Sequence, residues 1–147
     1  MTEDVQEEPR PPRRGWGEDV LDGPHVWKTL GFRRVDVEPG RVELEWDAPE
    51  DYSFPDGSGG RIVHGGLVTT ILDSAMGGAC WSLLAEGEHF LTADLRAEFM
   101  RSARPGFLRA EGRVVQRTRR VAFCAAELYD GSGTLIASAR CTQVIRT

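Results

Sequence analysis

The chain has 147 residues, a formal charge of −5, and 28% of its residues are Asp, Glu, Lys or Arg. That length predicts one domain with a core of its own, in no need of disulfide or metal staples. The acidic balance argues against nucleic acid as the main partner, and no apolar run approaches a membrane span.

Residues 1–22 (MTEDVQEEPRPPRRGWGEDVLD) hold seven acidic and three basic residues, so −4 of the −5 lies there. With Pro9, Pro11 and Pro12 close together and little to bury, this stretch is expected to be a disordered tail. Trp16 is its one candidate anchor. The single domain is then residues 23–147. Met1 is followed by acidic, Pro-rich chain, not by a basic region with an apolar core. No secretory leader is predicted, and a cytoplasmic location is expected. Cys80, Cys124 and Cys141 are an odd, widely spaced set, predicted to be buried thiols and neither a disulfide framework nor a zinc site.

In chain order, Gly23–Leu30 predicts one or two helical turns with Asp22 as N-cap and Pro24 early. His25 within it is expected at the surface. Gly31–Glu38 reads as a first strand. Arg41–Ala48 reads as a second, with Val42, Leu44, Trp46 and Ala48 alternating with charged residues. Pro39 and Gly40 between them predict a hairpin. Asp51–Gly60 (DYSFPDGSGG) is expected to be loop.

From His64 to Leu84 the pattern is helical. Leu67, Val68, Ile71, Leu72, Ala75, Met76, Ala79 and Leu83 form a broad apolar stripe. Asp73 sits nearly opposite its middle and is the only Asp, Glu, Lys or Arg in that span. Thr69, Thr70, Gly77, Cys80 and Leu84 share its face. A solvated helix face carries several charges, so this one is expected to pack against a second surface with Asp73 at the contact. After Gly87 the chain alternates as strands. Leu91, Ala93, Leu95, Ala97 and Phe99 are the predicted inward residues of one, and Leu108, Ala110, Gly112 and Val114 of the next. Val121–Tyr129 and Thr134–Ile145 follow, joined by a D-G-S-G hairpin at 130–133. The expected class is α+β, a hairpin, one long helix and a four-strand antiparallel meander, with the helix lying across the sheet. Eight arginines crowd residues 96–120 against Glu98 and Glu111. They suit solvated strand faces, and alternatively a phosphate-binding rim.

V-H-G-G-L-V-T-T-I-L-D at 63–73, L-T-A-D-L-R-A-E-F-M-R at 91–101, G-x-L-x-A-x-G-x-V around 106–114 and D-G-S-G-T-L-I-A-S-A at 130–139 stand in a distinctive order. Together they resemble the hotdog-fold acyl-CoA thioesterases of the phenylacetic-acid-degradation type, related to the 4-hydroxybenzoyl-CoA thioesterases, over about residues 24–146. The resemblance implies an antiparallel sheet wrapped around the central helix. It implies a homodimer, often doubled to a homotetramer, whose active sites at the subunit interface hydrolyse an aryl-, arylacetyl- or medium-chain acyl-CoA. No cofactor beyond the substrate's own CoA and no metal is implied, and neither nucleic acid nor membrane is an expected partner.

The same resemblance makes Asp73 the catalytic carboxylate, as general base on water or as nucleophile. It makes the Gly65 N–H at the helix start the donor that polarises the thioester carbonyl. His64 shapes this loop or touches the thioester, and Thr92 helps hold the attacking water. Many relatives carry Asn or Gln six residues before the histidine; Ser58 stands there, with Asp56 nearby. The expected substrate contacts are Gly66, Gly77, Arg104, Arg119 and Arg120, with Phe54, Trp81, Leu84 and Phe90 as acyl-pocket candidates. Two competing readings are a non-catalytic acyl-CoA or acyl-carrier binder, motivated by Ser58, and a dehydratase using His89 near Glu86 and Glu88.

Overall fold

The computed structural model describes residues 24–147; the expectations for the tail, Trp16 and Asp22 lie outside them. A short helix α1 (His25–Leu30) is followed by β1 (Arg33–Glu38) and β2 (Arg41–Ala48). A 3₁₀ turn (Glu50–Tyr52), β3 (Ser53–Pro55) and β4 (Arg61–Val63) lead to the long helix α2 (Gly65–Trp81). Then come β5 (His89–Phe99), β6 (Gly106–Arg117), β7 (Val121–Asp130) and β8 (Leu135–Arg146).

Hairpin and later strands form a single antiparallel sheet in the order β1-β2-β6-β7-β8-β5, curled around α2. The predicted meander is corrected in one respect. β5 does not lie beside β6. It crosses to the far edge and pairs with β8, because β2 takes the edge of β6 over eight residue pairs. The DYSFPDGSGG loop also hides structure: Ser53–Pro55 pairs with Arg61–Val63 in a small two-stranded ribbon. A ribbon this short has too few alternating side chains to show in a sequence pattern.

The core forms where the α2 stripe meets β2, β6 and β7. Val68, Ile71, Leu72, Ala75 and Met76 are buried there against Val42, Leu44, Leu108 and Leu128. Gly112 decides how close helix and sheet come. A Cβ on it would stand 2.3 Å from both the carbonyl carbon and the carbonyl oxygen of Ala75. Only a residue without a side chain permits that approach. The helix start is capped by its own neighbour, since His64 Nδ1 accepts from the Gly66 N–H at 3.0 Å. Beyond its C-terminal end, Arg117 donates to the Leu83 carbonyl at 2.5 Å and to Glu88 at 2.9 Å, placing a cation where the helix dipole favours one.

A bulge in β5 inverts its faces. Leu95 pairs with Cys141 and Asp94 with Thr142, but Thr92, not Ala93, pairs with Gln143. Cys141, Gln143 and Ile145 are the buried, helix-facing residues of β8. Their partners Leu95, Thr92 and Phe90 therefore share that side, whereas Leu91 turns outward and is 56% exposed. The strict alternation expected for Leu91–Phe99, which makes Thr92 an outward residue, holds only as far back as Leu95. One extra residue at a bulge swaps every side chain beyond it.

Candidate active site

The site lies where β5 passes the open side of α2. Asp73 is half-buried on that side, and Thr92 comes to it from β5 because of the bulge. Burial pushes the Asp73 carboxyl above the usual carboxylate range, and the Thr92 hydroxyl opposes the shift by hydrogen bonding. One turn beyond Asp73, Gly77 leaves room for Phe90, whose ring carbon would lie 3.2 Å from a Cβ there. β5 thus runs antiparallel to α2, with Phe90 near Gly77 and Phe99 near Gly65.

At the helix start the first N–H groups are accounted for one by one. Gly66 donates to the His64 ring, while Leu67 and Val68 donate to the His64 carbonyl at 2.9 and 3.2 Å. The Gly65 N–H has no acceptor among the described residues. An uncommitted N–H at the positive end of a 17-residue helix is a ready anion donor. His64 spends Nδ1 as the cap acceptor, which requires the neutral ring with its proton on Nε2.

The remaining candidates scatter. Both the N–H and the hydroxyl of Ser58 donate to Asp56 at 2.8 Å, so the residue serves a loop turn. Asp56 also accepts from Gly60 and pairs with Arg104 at 2.5 Å, and the arginine holds its carboxyl well below the usual range. Arg104 further donates to the Arg61 carbonyl. Arg119 and Arg120 lie at the other end of β6, lining an open groove with Glu88, Ile145 and Arg146. Twelve strand residues, roughly 35–40 Å, separate Arg104 from that groove within one chain, so the three arginines form no common rim there. Three of the five other arginines of the basic stretch are paired on the outer sheet face, where Arg109 bonds Glu43 and Glu111, Arg113 bonds Glu127 and Arg96 bonds Glu98. Of the acyl-pocket candidates, Leu84 is buried, Trp81 and Phe90 are half-buried, and Phe54 is exposed.

The three thiols are buried, as expected, but they are neighbours. Cys124 faces Cys141 across β7 and β8, and Cys80 of α2 lies beside it. No metal-binding cluster of His, Cys, Asp or Glu occurs among the described residues, and no described helix is long and apolar enough to cross a membrane.

A family model described as the thioesterase superfamily matches residues 60–137, the stretch from β4 through the site to β8. The chain belongs to the thioesterase superfamily. Its hotdog fold and its likeness to phenylacetic-acid-degradation-type relatives follow from the solved structures it matches. A phenylacetic acid degradation-related protein from Ralstonia eutropha JMP134 is 30% identical, with TM-score 0.75, covering 82% of this chain and 89% of that one. A thioesterase family protein from Silicibacter pomeroyi is 30% identical, with TM-score 0.77, covering 86% and 93%. A thioesterase from Haemophilus influenzae shares the fold at 18% identity and TM-score 0.76, covering 86% of each chain. Family membership supports thioester hydrolysis as the general activity.

Sequence reasoning missed Gln143, the one buried polar residue among those described, whose amide oxygen accepts from the Thr92 hydroxyl at 2.9 Å. A signal was present. Ala137, Ala139, Cys141 and Ile145 alternate as inward residues, and Gln143 occupies the polar exception in that register.

Proposed function

We propose that this protein is an acyl-CoA thioesterase of aryl-, arylacetyl- or medium-chain substrates, with Asp73 as general base. In the reaction Asp73 takes a proton from water as the water oxygen bonds to the thioester carbon. The carbonyl oxygen gains negative charge and is met by the Gly65 N–H; such a donor is worth about 3 kcal/mol of barrier. Collapse breaks the C–S bond, and the departing thiolate takes the proton back from Asp73, leaving free acid and CoA. A raised carboxyl pKa suits this role, because a base works best when its pKa approaches the operating pH. The observation that carries the reading is one ionisable group, half-buried beside a hydroxyl, on the uncovered side of a helix whose first N–H has no acceptor among the described residues.

One chain does not complete this site. Gly65 and Asp73 are eight residues apart on one helix, about 12 Å at 1.5 Å per residue, too far to serve one carbonyl. β5 is an edge strand, and Leu91 and Phe99 on it are 56% and 52% exposed. A second copy pairing antiparallel along β5 about its middle would set one chain's Phe99 and Gly65 beside the other's Thr92 and Asp73. The active form is therefore a homodimer or a tetramer of two such dimers, with Arg119, Arg120 or Arg104 available to CoA phosphates.

The test is thiol release from a panel of acyl-CoAs by wild type and Asp73→Asn, with the oligomeric mass measured alongside. Unchanged turnover in Asp73→Asn rejects the mechanism, and a stable active monomer rejects the shared site. Single turnover in ¹⁸O-water separates the roles: label found only in the acid supports the base, and label in Asp73 supports a nucleophile. Ser58, committed to Asp56, keeps a binding-only reading in play; tight acyl-CoA binding without turnover would select it.

A further inference from the structure

Gln143 has no exposed surface, yet it carries a primary amide. Burying such a group costs free energy unless its oxygen and N–H groups find partners, and a Leu or Met would fill the place without that demand. In the structure the Thr92 hydroxyl donates to its Oε1 at 2.9 Å, and its Nε2–H donates to Cys141 Sγ at 3.2 Å. Thr92 in turn is brought by the β5 register to the Asp73 side of α2, where its hydroxyl favours the ionised carboxyl. The β5 bulge exists between Thr92 and Asp94, so the same irregularity that turns Thr92 toward the helix also sets it opposite Gln143.

Thr92 has one proton for two neighbours. When Asp73 is ionised it only accepts, and an amide oxygen toward Thr92 would leave two acceptors competing for that proton. Rotation about the last side-chain bond exchanges the amide oxygen and nitrogen within the same outline. Nε2–H then donates to Thr92 Oγ1, Oγ1–H donates to the Asp73 carboxylate, and Oε1 accepts from the Cys141 thiol. When Asp73 is protonated the chain reverses: its acid proton goes to Oγ1, Oγ1–H goes to Oε1, and Nε2–H goes to Sγ.

We propose that Gln143 is a positioning residue for the hydrolysis, holding Thr92 so that its hydroxyl proton points at Asp73 whenever Asp73 is ionised. It touches no substrate and acts through Thr92. The proposal rests on the reading of Asp73 as the base. Among the described residues, little else competes for control of that carboxyl. β2 and β6 present apolar residues and Gly112 to the helix, β7 and β8 present Cys124 and Cys141, and α2 itself carries Cys80. The helix-facing side of β5 adds no charge, and the Arg117–Glu88 pair lies beyond the C-terminal end of α2.

The experiment compares full-length wild type, Gln143→Met, Thr92→Val, the double variant and Asp73→Asn. For each, kcat, KM and the acid limb of the pH profile are measured on one acyl-CoA, together with Tm. Gln143→Met and Thr92→Val are each expected to lower kcat about 10-fold with KM nearly unchanged, and to move the acid limb to higher pH. The double variant should be no slower than Thr92→Val alone, because the amide acts only through the hydroxyl. A Gln143→Met protein that loses only Tm, or losses that multiply in the double variant, overturns the proposal. Retained activity in Asp73→Asn instead removes the reading beneath it, so the two failures are told apart. If Gln143→Met does not fold, the side-chain amide resonances of Gln143 in wild type decide. They should shift with pH across the acid limb and stay flat in Asp73→Asn; flat resonances in wild type overturn the proposal.

Discussion

On its β6 side α2 has no room for one more carbon, and on its β5 side it keeps a carboxyl, a glycine and open space. The β6 side is closed by Gly112 beneath Ala75 and by fully buried Ile71, Leu72 and Met76. On the β5 side, Thr70, Asp73, Ser74, Gly77 and Trp81 are all half-buried, against an edge strand with most of its residues exposed. The two sides share one helix but answer different demands. Close packing holds the helix immobile, so that a carboxyl on the other side sits at a fixed depth. That depth sets its pKa: deep enough to be raised by lost hydration, shallow enough to stay reachable.

The sharpest way to break the contrast is Asp73→Asn, which should lower kcat/KM at neutral pH by about 10³-fold or more if the carboxyl is the base. Steady-state thiol release checks it. On the closed side Gly112→Ala should cost about 3 kcal/mol, since its Cβ meets backbone atoms that cannot rotate away. Chemical denaturation reads this, with the loss of activity following the loss of fold. At the C-terminal end of α2, Arg117→Met removes the ion pair to Glu88 and the donor to Leu83, for a loss of about 2 kcal/mol by the same assay. His64→Ala removes the cap on Gly66 and should cost about 1 kcal/mol, or roughly 3 °C in Tm.

The smallest effect has the opposite sign. A carboxyl whose pKa is higher folded than unfolded adds stability at low pH and loses it as pH rises through the folded value. Ionised Asp73 is therefore a burden at pH 7, and Asp73→Asn should melt slightly higher than wild type there. The gain should vanish once the pH falls below the ordinary carboxylate range, near 4. Melting curves across pH 3.5–8 check both halves, and the acid limb of activity should lie above that ordinary range. Loss of activity with a gain in stability would mark Asp73 as a residue held for function at a cost in fold.

Several parts of this picture were legible in the residues. The alternation of Val42, Leu44 and Trp46 and of Leu108, Ala110 and Val114 names strands buried on one face, and those residues do face α2. The isolation of Asp73 on an otherwise uncharged helix marked the uncovered side. Cys80 and Leu84, which share that side by periodicity, are buried within the chain. The orientation of Thr92 was not legible, because a bulge leaves no mark in a run of alternating residues and is set by pairing with β8. Nor was the scatter of the arginines. Arg104 and Arg119 are close in sequence number, but a whole strand lies between them.

The sequence by itself determined the long helix and the strands of the main sheet, the buried stripe, the lone Asp73 and the Gly65–Gly66 entry. These are local matters of periodicity and backbone freedom, carried by neighbouring residues. Only the tertiary structure decided the place of β5 at the sheet edge, the inward turn of Thr92, its bond to Gln143 and the gathering of three distant thiols. Each of those depends on which strand pairs with which and in what register, and pairing between residues fifty positions apart is a property of the folded sheet, not of any stretch of chain.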